Sequence, residues 1–217
     1  AHLESNTSSA AIFPAEANAT EIFTFTNCGK TGRDGPSAAQ ILAEYNGTNL
    51  QGQVTTGWKT GYQKWTVPAT GDYWIEAIGA RAGNSDYRGG SGAFIRGKFT
   101  LTAGDELNIV VGQVGGNNPG NNDGAAGGGG TFVVADTNNT PLVIAGGGGG
   151  PGNTHSWTKI TNGQDGVYGT SKAGGTNGSG GQGERGGGGG GFLTNGSGSG
   201  AQGGQSYHAG LIGGDSS

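Results

Sequence analysis

The chain has 217 residues, of which 53 are Gly and only 31% are hydrophobic. An ordinary protein holds about 7% Gly, so apolar burial cannot fill a core along the whole length. The formal net charge is −4 and no basic run occurs, which excludes nucleic acid and anionic membrane surfaces as partners. No stretch approaches the roughly 18 apolar residues of a spanning helix, so membrane insertion is not expected either. The lone cysteine, Cys28, excludes an internal disulfide framework. It reads as a small buried hydrophobe or, failing that, as a free or intermolecularly bonded thiol.

Residues 1–20 are rich in Ser, Ala, Asn and Thr, with an apolar spot at Ile12-Phe13 before Pro14. They read as an extended arm, either loose or docking as an added strand into a neighbouring copy. Residues 21–217 read as one domain, with its glycine-rich part at about 112–217. Ile22–Thr26 alternates as a strand does. Ser37–Tyr45 is a helix, with Ser37 as N-cap, Gln40 at the capping-box position and Asn46-Gly47 as the stop. Gln63–Val67 and Tyr73–Ile78 are strands, the second with Tyr73, Ile75 and Ala77 on one face. Ala93–Leu101 is another, read with a bulge at Gly97. Leu107–Val111, Thr131–Ala135 and Leu142–Ala145 complete the set, the last two joined as a hairpin through Asp136–Thr140. Short strands with turns every 8–12 residues indicate a sandwich or jelly roll.

Poly-Gly runs flank that hairpin at 127–130 and 146–150, and another precedes Phe192 at 186–191. A polyproline-II backbone makes no bonds within itself and rises about 3.1 Å per residue. Buried backbone amides need partners, and tracts without side chains can pack closely enough to supply them to each other. The expected class is therefore mainly β, with a packed bundle of polyglycine-II helices beside the sheets and one short α-helix.

Several segments in order carry a resemblance. They are Thr26-Asn27-Cys28-Gly29, Gly35-Pro36-Ser37, Ala43–Thr48, Trp65–Tyr73, Ala77–Ala80, Val111-Gly112-Gln113 and Val143–Gly149. Together they resemble the extracellular glycine-rich region of the anaplastic lymphoma kinase and leukocyte tyrosine kinase receptors, over about residues 22–150. The resemblance implies a tumour-necrosis-factor-like jelly roll with inserted polyglycine helices. It also implies a second cysteine where this chain has Ile41, so Cys28 lacks the family's partner. No membrane span or kinase is read in the chain, so a receptor's signalling role and ligand contacts are not carried over.

Catalytic patterns fail one by one. Gly29-Lys30-Thr31 has Thr24 where a phosphate loop needs Gly, and Gly181–Gly186 fits a dinucleotide motif with no strand–helix frame around it. His2, His155 and His208 are scattered, unlike zinc ligands. The oxygen-rich stretch Asn117–Asp123 lacks calcium-repeat spacing and reads as a turn. No catalytic, metal or cofactor site is therefore expected. Six Asn-X-Ser/Thr sequons, at Asn6, Asn18, Asn46, Asn138, Asn177 and Asn195, are glycosylation candidates. Trp58, Tyr62, Trp157, Tyr168 and Tyr207 lie in Gly-rich loops, where they either pack on the glycine layer or bind a partner. The expected function is a secreted, non-enzymatic structural subunit of an extracellular fibre or coat. Its arm, through Ile12 and Phe13, would bridge to copies of itself. The alternative is a receptor-like or adhesin module recognising protein or glycan.

Overall fold

In the computed structural model, residues 7–16, 21–85, 88–118, 125–150, 178–183, 188–198 and 203–214 are described. The strands are β1 (Ser9–Pro14), β2 (Phe23–Phe25), β3 (Val54–Thr56), β4 (Gln63–Thr66), β5 (Gly71–Ile78), β6 (Phe94–Leu101), β7 (Glu106–Val110), β8 (Thr131–Ala135) and β9 (Thr140–Ala145). The helix is α1 (Ala38–Glu44), and two short strands, β10 (Gln182–Gly183) and β11 (Ser197–Gly198), pair in parallel. One sheet runs β2-β1-β5-β6 and the other β3-β4-β7-β8-β9, all neighbours antiparallel. The two form a sandwich.

Its core follows from the alternation of each strand. Ala10, Ile12, Phe23, Phe25, Tyr73, Ile75 and Ala77 of the first sheet meet Val54, Trp65, Leu107, Ile109, Val133 and Val143 of the second. The helix adds Ile41 and Tyr45, and its start is the expected capping box, Ser37 with Gln40. Gln63 is fully buried among these apolar groups. Its amide nitrogen donates to Thr26 O at 2.8 Å and its amide oxygen accepts from the Tyr45 hydroxyl. This satisfies the polar group and links helix, β2 and β4.

Three departures from the sequence reading have physical causes. The stretch expected as an arm is seated in the chain's own sheet: β1 pairs with β2 on one side and along its whole length with β5 on the other. Ile12 lies in the core, while Phe13 faces outward, with the Arg96 guanidinium 5.4 Å from its ring and 4.2 Å from that of Trp74. No bulge occurs at Gly97. β6 pairs with β5 in unbroken register, Gly97 opposite Ile75. The glycine instead makes room for the Phe99 ring, which a Cβ there would meet at 2.6 Å. The register shift falls between Val133 and Val134, where Pro141 of edge strand β9 opposes Val134. Proline lacks an amide donor, and edges and bulges are where a sheet tolerates it.

The glycine tracts are ordered by backbone bonds. Residues 79–83 lie among four other tracts: Gly79 N donates to Ala93 O, Ala80 N to Gly129 O and Ala82 N to Gly90 O, while Gly115 N and Gly148 N donate back to Arg81 O and Ala80 O. The outer tracts bond to each other as well, as in Gly128 N to Gly148 O at 2.9 Å and Gly90 N to Gly149 O at 3.0 Å. Residues 79–83, outside the part expected to be glycine-rich, are thus the middle of this layer. The third run does not join it in the bonds seen. Gly188 and Gly191 belong to a second layer, with residues 178–181, 194–197 and 204–207. Thr131 fastens the first layer to the sandwich, donating to Ile78 O at 2.8 Å and accepting from Gly112 N at 3.1 Å.

A methyl group on most of these glycines would sit inside a neighbouring carbonyl. Gly147→Ala drives its Cβ into Gly128 O, whereas at Gly116 a Cβ meets nothing within 4 Å. Gly147→Ala should cost stability at the upper end of the roughly 1–3 kcal/mol of overpacking. Gly116→Ala should stay within about 0.5 kcal/mol. Urea melts of the two variants compare them directly.

Candidate functional site

The five-stranded sheet is covered on both faces. Val133, Leu107 and Ile109 look into the sandwich, while Phe132, Val134 and Tyr62 look the other way, onto Phe192 and Tyr207 of the second glycine layer. An aromatic cluster results. Tyr207 stands 5.1 Å from Tyr62, 5.1 Å from Phe192 and 5.8 Å from Phe132, and its ring lies at 88° to that of His208. The Tyr62 hydroxyl donates to the backbone oxygen of Tyr207. Burial raises the Tyr62 phenol and pushes that of Tyr207 up to about 12, so both stay protonated.

Trp58 caps this cluster from the β3–β4 loop. Gly57 N donates to Tyr62 O at 2.7 Å and Tyr62 N to Lys59 O at 3.1 Å. Gly61, at φ 87, takes the left-handed turn that presses it onto Gly35. The loop leaves Trp58 50% exposed, 5.1 Å from the Tyr62 ring. Lys59 lies over the indole at 4.8 Å and donates to Ala209 O at 2.7 Å, which ties the loop to the second glycine layer.

Beside Trp58 opens a cleft of about 360 Å³ lined also by Lys64, Asp136, Asn139 and His208. A smaller one, of about 230 Å³, lies between the loop and α1. Lys64 projects from β4, its ammonium 2.7 Å from Asp136 and 3.0 Å from Glu106. Asn108, fully buried on β7, donates to the other Asp136 oxygen at 2.5 Å. Asp136 is held below the ordinary carboxylate value of 3.8, chiefly by the Lys64 hydrogen bond, and Lys64 is raised above 10.5 by Asp136 and then Glu106.

Of the aromatics marked in the sequence, Trp58, Tyr62 and Tyr207 converge here, but Tyr62 and Tyr207 are fully buried and only floor the site. Trp157 and Tyr168 lie outside the described residues, as do the sequons at Asn6, Asn18 and Asn177. Asn46, Asn138 and Asn195 are exposed, and Asn195 Oδ1 accepts from Ser206 N at 2.8 Å. Lys64, Asp136 and Asn139 were not among the sequence candidates. The signal was weak: Lys64 is an outward residue of a strand, and Asp136 and Asn139 occupy a hairpin turn. Cys28 is buried in the same core cluster as Ile41. Burial, then the Glu44 carboxylate, pushes its thiol up to about 11.

Two outcomes follow from these ionisations. Asp136 has a depressed pKa, so its contribution to stability is complete above 3.8 and is lost as pH falls through its lower folded value. That of Lys64 is complete below 10.5 and is lost as pH rises through its higher folded value. Lys64→Met should therefore flatten both the acid and the alkaline limb of a stability–pH curve from urea melts, and Asp136→Asn should flatten the acid limb and weaken the alkaline one, where Glu106 still holds Lys64. Cys28 should react slowly with iodoacetamide at neutral pH in the native protein and rapidly in urea. A fast native reaction would show the thiol to be accessible.

No protein-family model matches the chain. Over 95 residues, 42% of the chain, it is 38% identical to the leukocyte tyrosine kinase receptor of Mus musculus. That stretch is 11% of the receptor, so the chain spans about a tenth of the relative it matches. The chain thus contains a β-sandwich domain related to the extracellular glycine-rich region of the leukocyte tyrosine kinase receptor.

Proposed function

We propose that this chain is a non-enzymatic structural subunit of an extracellular fibre or coat, joined to copies of itself by exchange of β1. The observation that carries the reading is the place of β1. It is the first strand among the described residues, yet it lies inside the sheet between β2 and β5 with Ala10 and Ile12 fully buried. Residues 15–22 connect it to β2. A strand supplied by another copy would make the same pairs, which is the condition for swapping. A subunit that gives its strand away uncovers Phe23, Phe25 and Ile75, and it recovers that burial by accepting a strand in turn. Passed head to tail, the exchange has no closing step and produces a filament.

The glycine layers suit such a role. In this reading they are polyglycine-II helices. A β-strand directs its bonds to two neighbours, whereas residues 79–83 bond to four tracts. The sandwich is then a jelly roll of the tumour-necrosis-factor type, stiffened at its ends by backbone alone. The ionisable groups in the cores are tyrosines and one thiol held protonated, which supports a structural rather than a catalytic interior. Relation to an extracellular region and exposed sequons at Asn46, Asn138 and Asn195 support a secreted site of action, with glycans on the outside.

Ala11 faces Glu76 across the β1–β5 pair, within reach of a disulfide if both become cysteine. With Cys28→Ser to remove the native thiol, the Ala11→Cys/Glu76→Cys protein should give a covalent ladder on non-reducing gels when oxidised after assembly. Monomers alone, from particles that microscopy shows to be filamentous, would exclude strand exchange as the joint. Monodisperse particles under all conditions would overturn the fibre reading itself. Amide exchange should find residues 146–150 and 188–191 protected; coil-like exchange there would contradict the polyglycine-II packing.

A further inference from the structure

The cleft beside Trp58 has the features of a carbohydrate site, and its rim carries a glycosylation sequon. We propose that it seats a neutral pyranose, and that the sugar belongs to an N-linked glycan on Asn138 of the same chain.

The first support is the indole. An exposed aromatic is ordinary in itself, but Trp58 is held in place by Tyr62 at 5.1 Å, by Tyr207 at 6.4 Å and by Lys59, which is anchored on Ala209 O. A half-exposed ring fixed in this way loses little freedom on binding. Its electron-rich face attracts partially positive hydrogens, such as those on the C–H face of a sugar ring. Trp58 lines both clefts, and Lys59 lines only the smaller one, so the ammonium leaves the larger cleft to another occupant.

The second support is charge. The one ammonium on the cleft wall, Lys64, is shared by Asp136 and Glu106, so these three groups sum to a single negative charge. Sulfated, phosphorylated or carboxylated ligands are disfavoured there. The remaining polar groups, Asp136, the Asn139 amide and the His208 ring, can give and accept the hydrogen bonds that hydroxyls need. A volume of about 360 Å³ falls at the lower end of the roughly 300–1,000 Å³ of small-molecule sites and suits one or two sugar rings.

The third support is position. Asn139 lines the cleft and stands in the left-handed region, at φ 51. The preceding residue, Asn138, is exposed and heads the sequon Asn138-Asn139-Thr140. Consecutive Cα atoms are about 3.8 Å apart, so a sugar linked to Asn138 starts one residue from the cleft wall, on a side chain whose Oδ1 accepts from Thr140 N at 3.1 Å. This inference is independent of strand exchange, since the monomer contains every group it uses.

The test uses the full chain secreted from a glycosylating eukaryotic cell. Glycopeptide mass spectrometry reads the occupancy of Asn138, and NMR reads the Trp58 indole N–H, assigned by its loss in Trp58→Phe. The expected result is an occupied Asn138, with the protons of its first sugars shifted upfield by the indole ring. That shift should vanish in Trp58→Ala at unchanged occupancy, and the indole signal should move in Asn138→Gln. The Trp65 signal, from the sandwich core, reports that each variant is folded. An occupied Asn138 with sugar protons at free-glycan positions overturns the proposal. An unoccupied Asn138 overturns the tethered source, and the cleft is then titrated with N-acetylglucosamine and mannose oligosaccharides beside sulfated heparin fragments. Movement of the indole signal by the neutral sugars upholds the sugar site. Movement by the sulfated fragments alone, or by neither, overturns it.

Discussion

A backbone without side chains has no apolar surface to hide, but its amides and carbonyls still require partners once they are packed away from water. The rest of this protein is arranged around that constraint. Five tracts between residues 79 and 150 meet it by bonding to each other. They can do so because most positions at the contacts lack a Cβ. Alanine appears where the layer leaves space, as at Ala80, Ala82 and Ala93, all buried. Glycine loses the most entropy on ordering, so such a layer depends on anchorage at its ends. The strands supply it: Val111 and Ala145 are core residues of the sandwich, and the chain enters the glycine layer immediately after each.

The same economy of side chains explains the two-sided sheet. Apolar residues are few, and they are concentrated where strands β7, β8 and β9 are covered on both faces. In Phe132-Val133-Val134, neighbouring residues point into different cores, and all three are buried. Among the described residues the second core is small and aromatic, because only Phe192, Tyr207 and Leu211 come there from the glycine-rich side. Large rings span the gap that a thin layer leaves. Trp58, at the edge of this cluster, is half-exposed and borders a cleft whose polar groups come from β4, the β8–β9 hairpin and His208.

Placing β1 within the sheet changes what the amino-terminal stretch means. An arm that served only to reach a neighbour would leave the domain complete without it. Here the sandwich is incomplete without Ser9–Pro14, since β2, only three residues long, has no other partner in its sheet. Under the proposed strand exchange, assembly and folding are the same event viewed in different copies. The relation to an extracellular receptor region concerns the module and not the whole receptor.

Much of this was legible in the chain itself. Alternation marked β2, β5 and β7, short runs between turns marked β4, β6, β8 and β9, the capping pair Ser37 and Gln40 located the helix, and ordered glycine runs required mutual backbone pairing. These are local properties: each depends on a few consecutive residues and on bond geometry. What only the tertiary structure decided is everything that depends on which segments meet. The three-residue strand β3 is too short to show a period of its own. Gly97 is needed for a ring two residues away, not for a bulge. Residues 79–83, which contain no run of glycines, occupy the middle of the layer because four tracts converge on them. The cleft of Trp58, Lys64, Asp136, Asn139 and His208 draws on four separated stretches of chain, and no local pattern encodes a meeting of that kind.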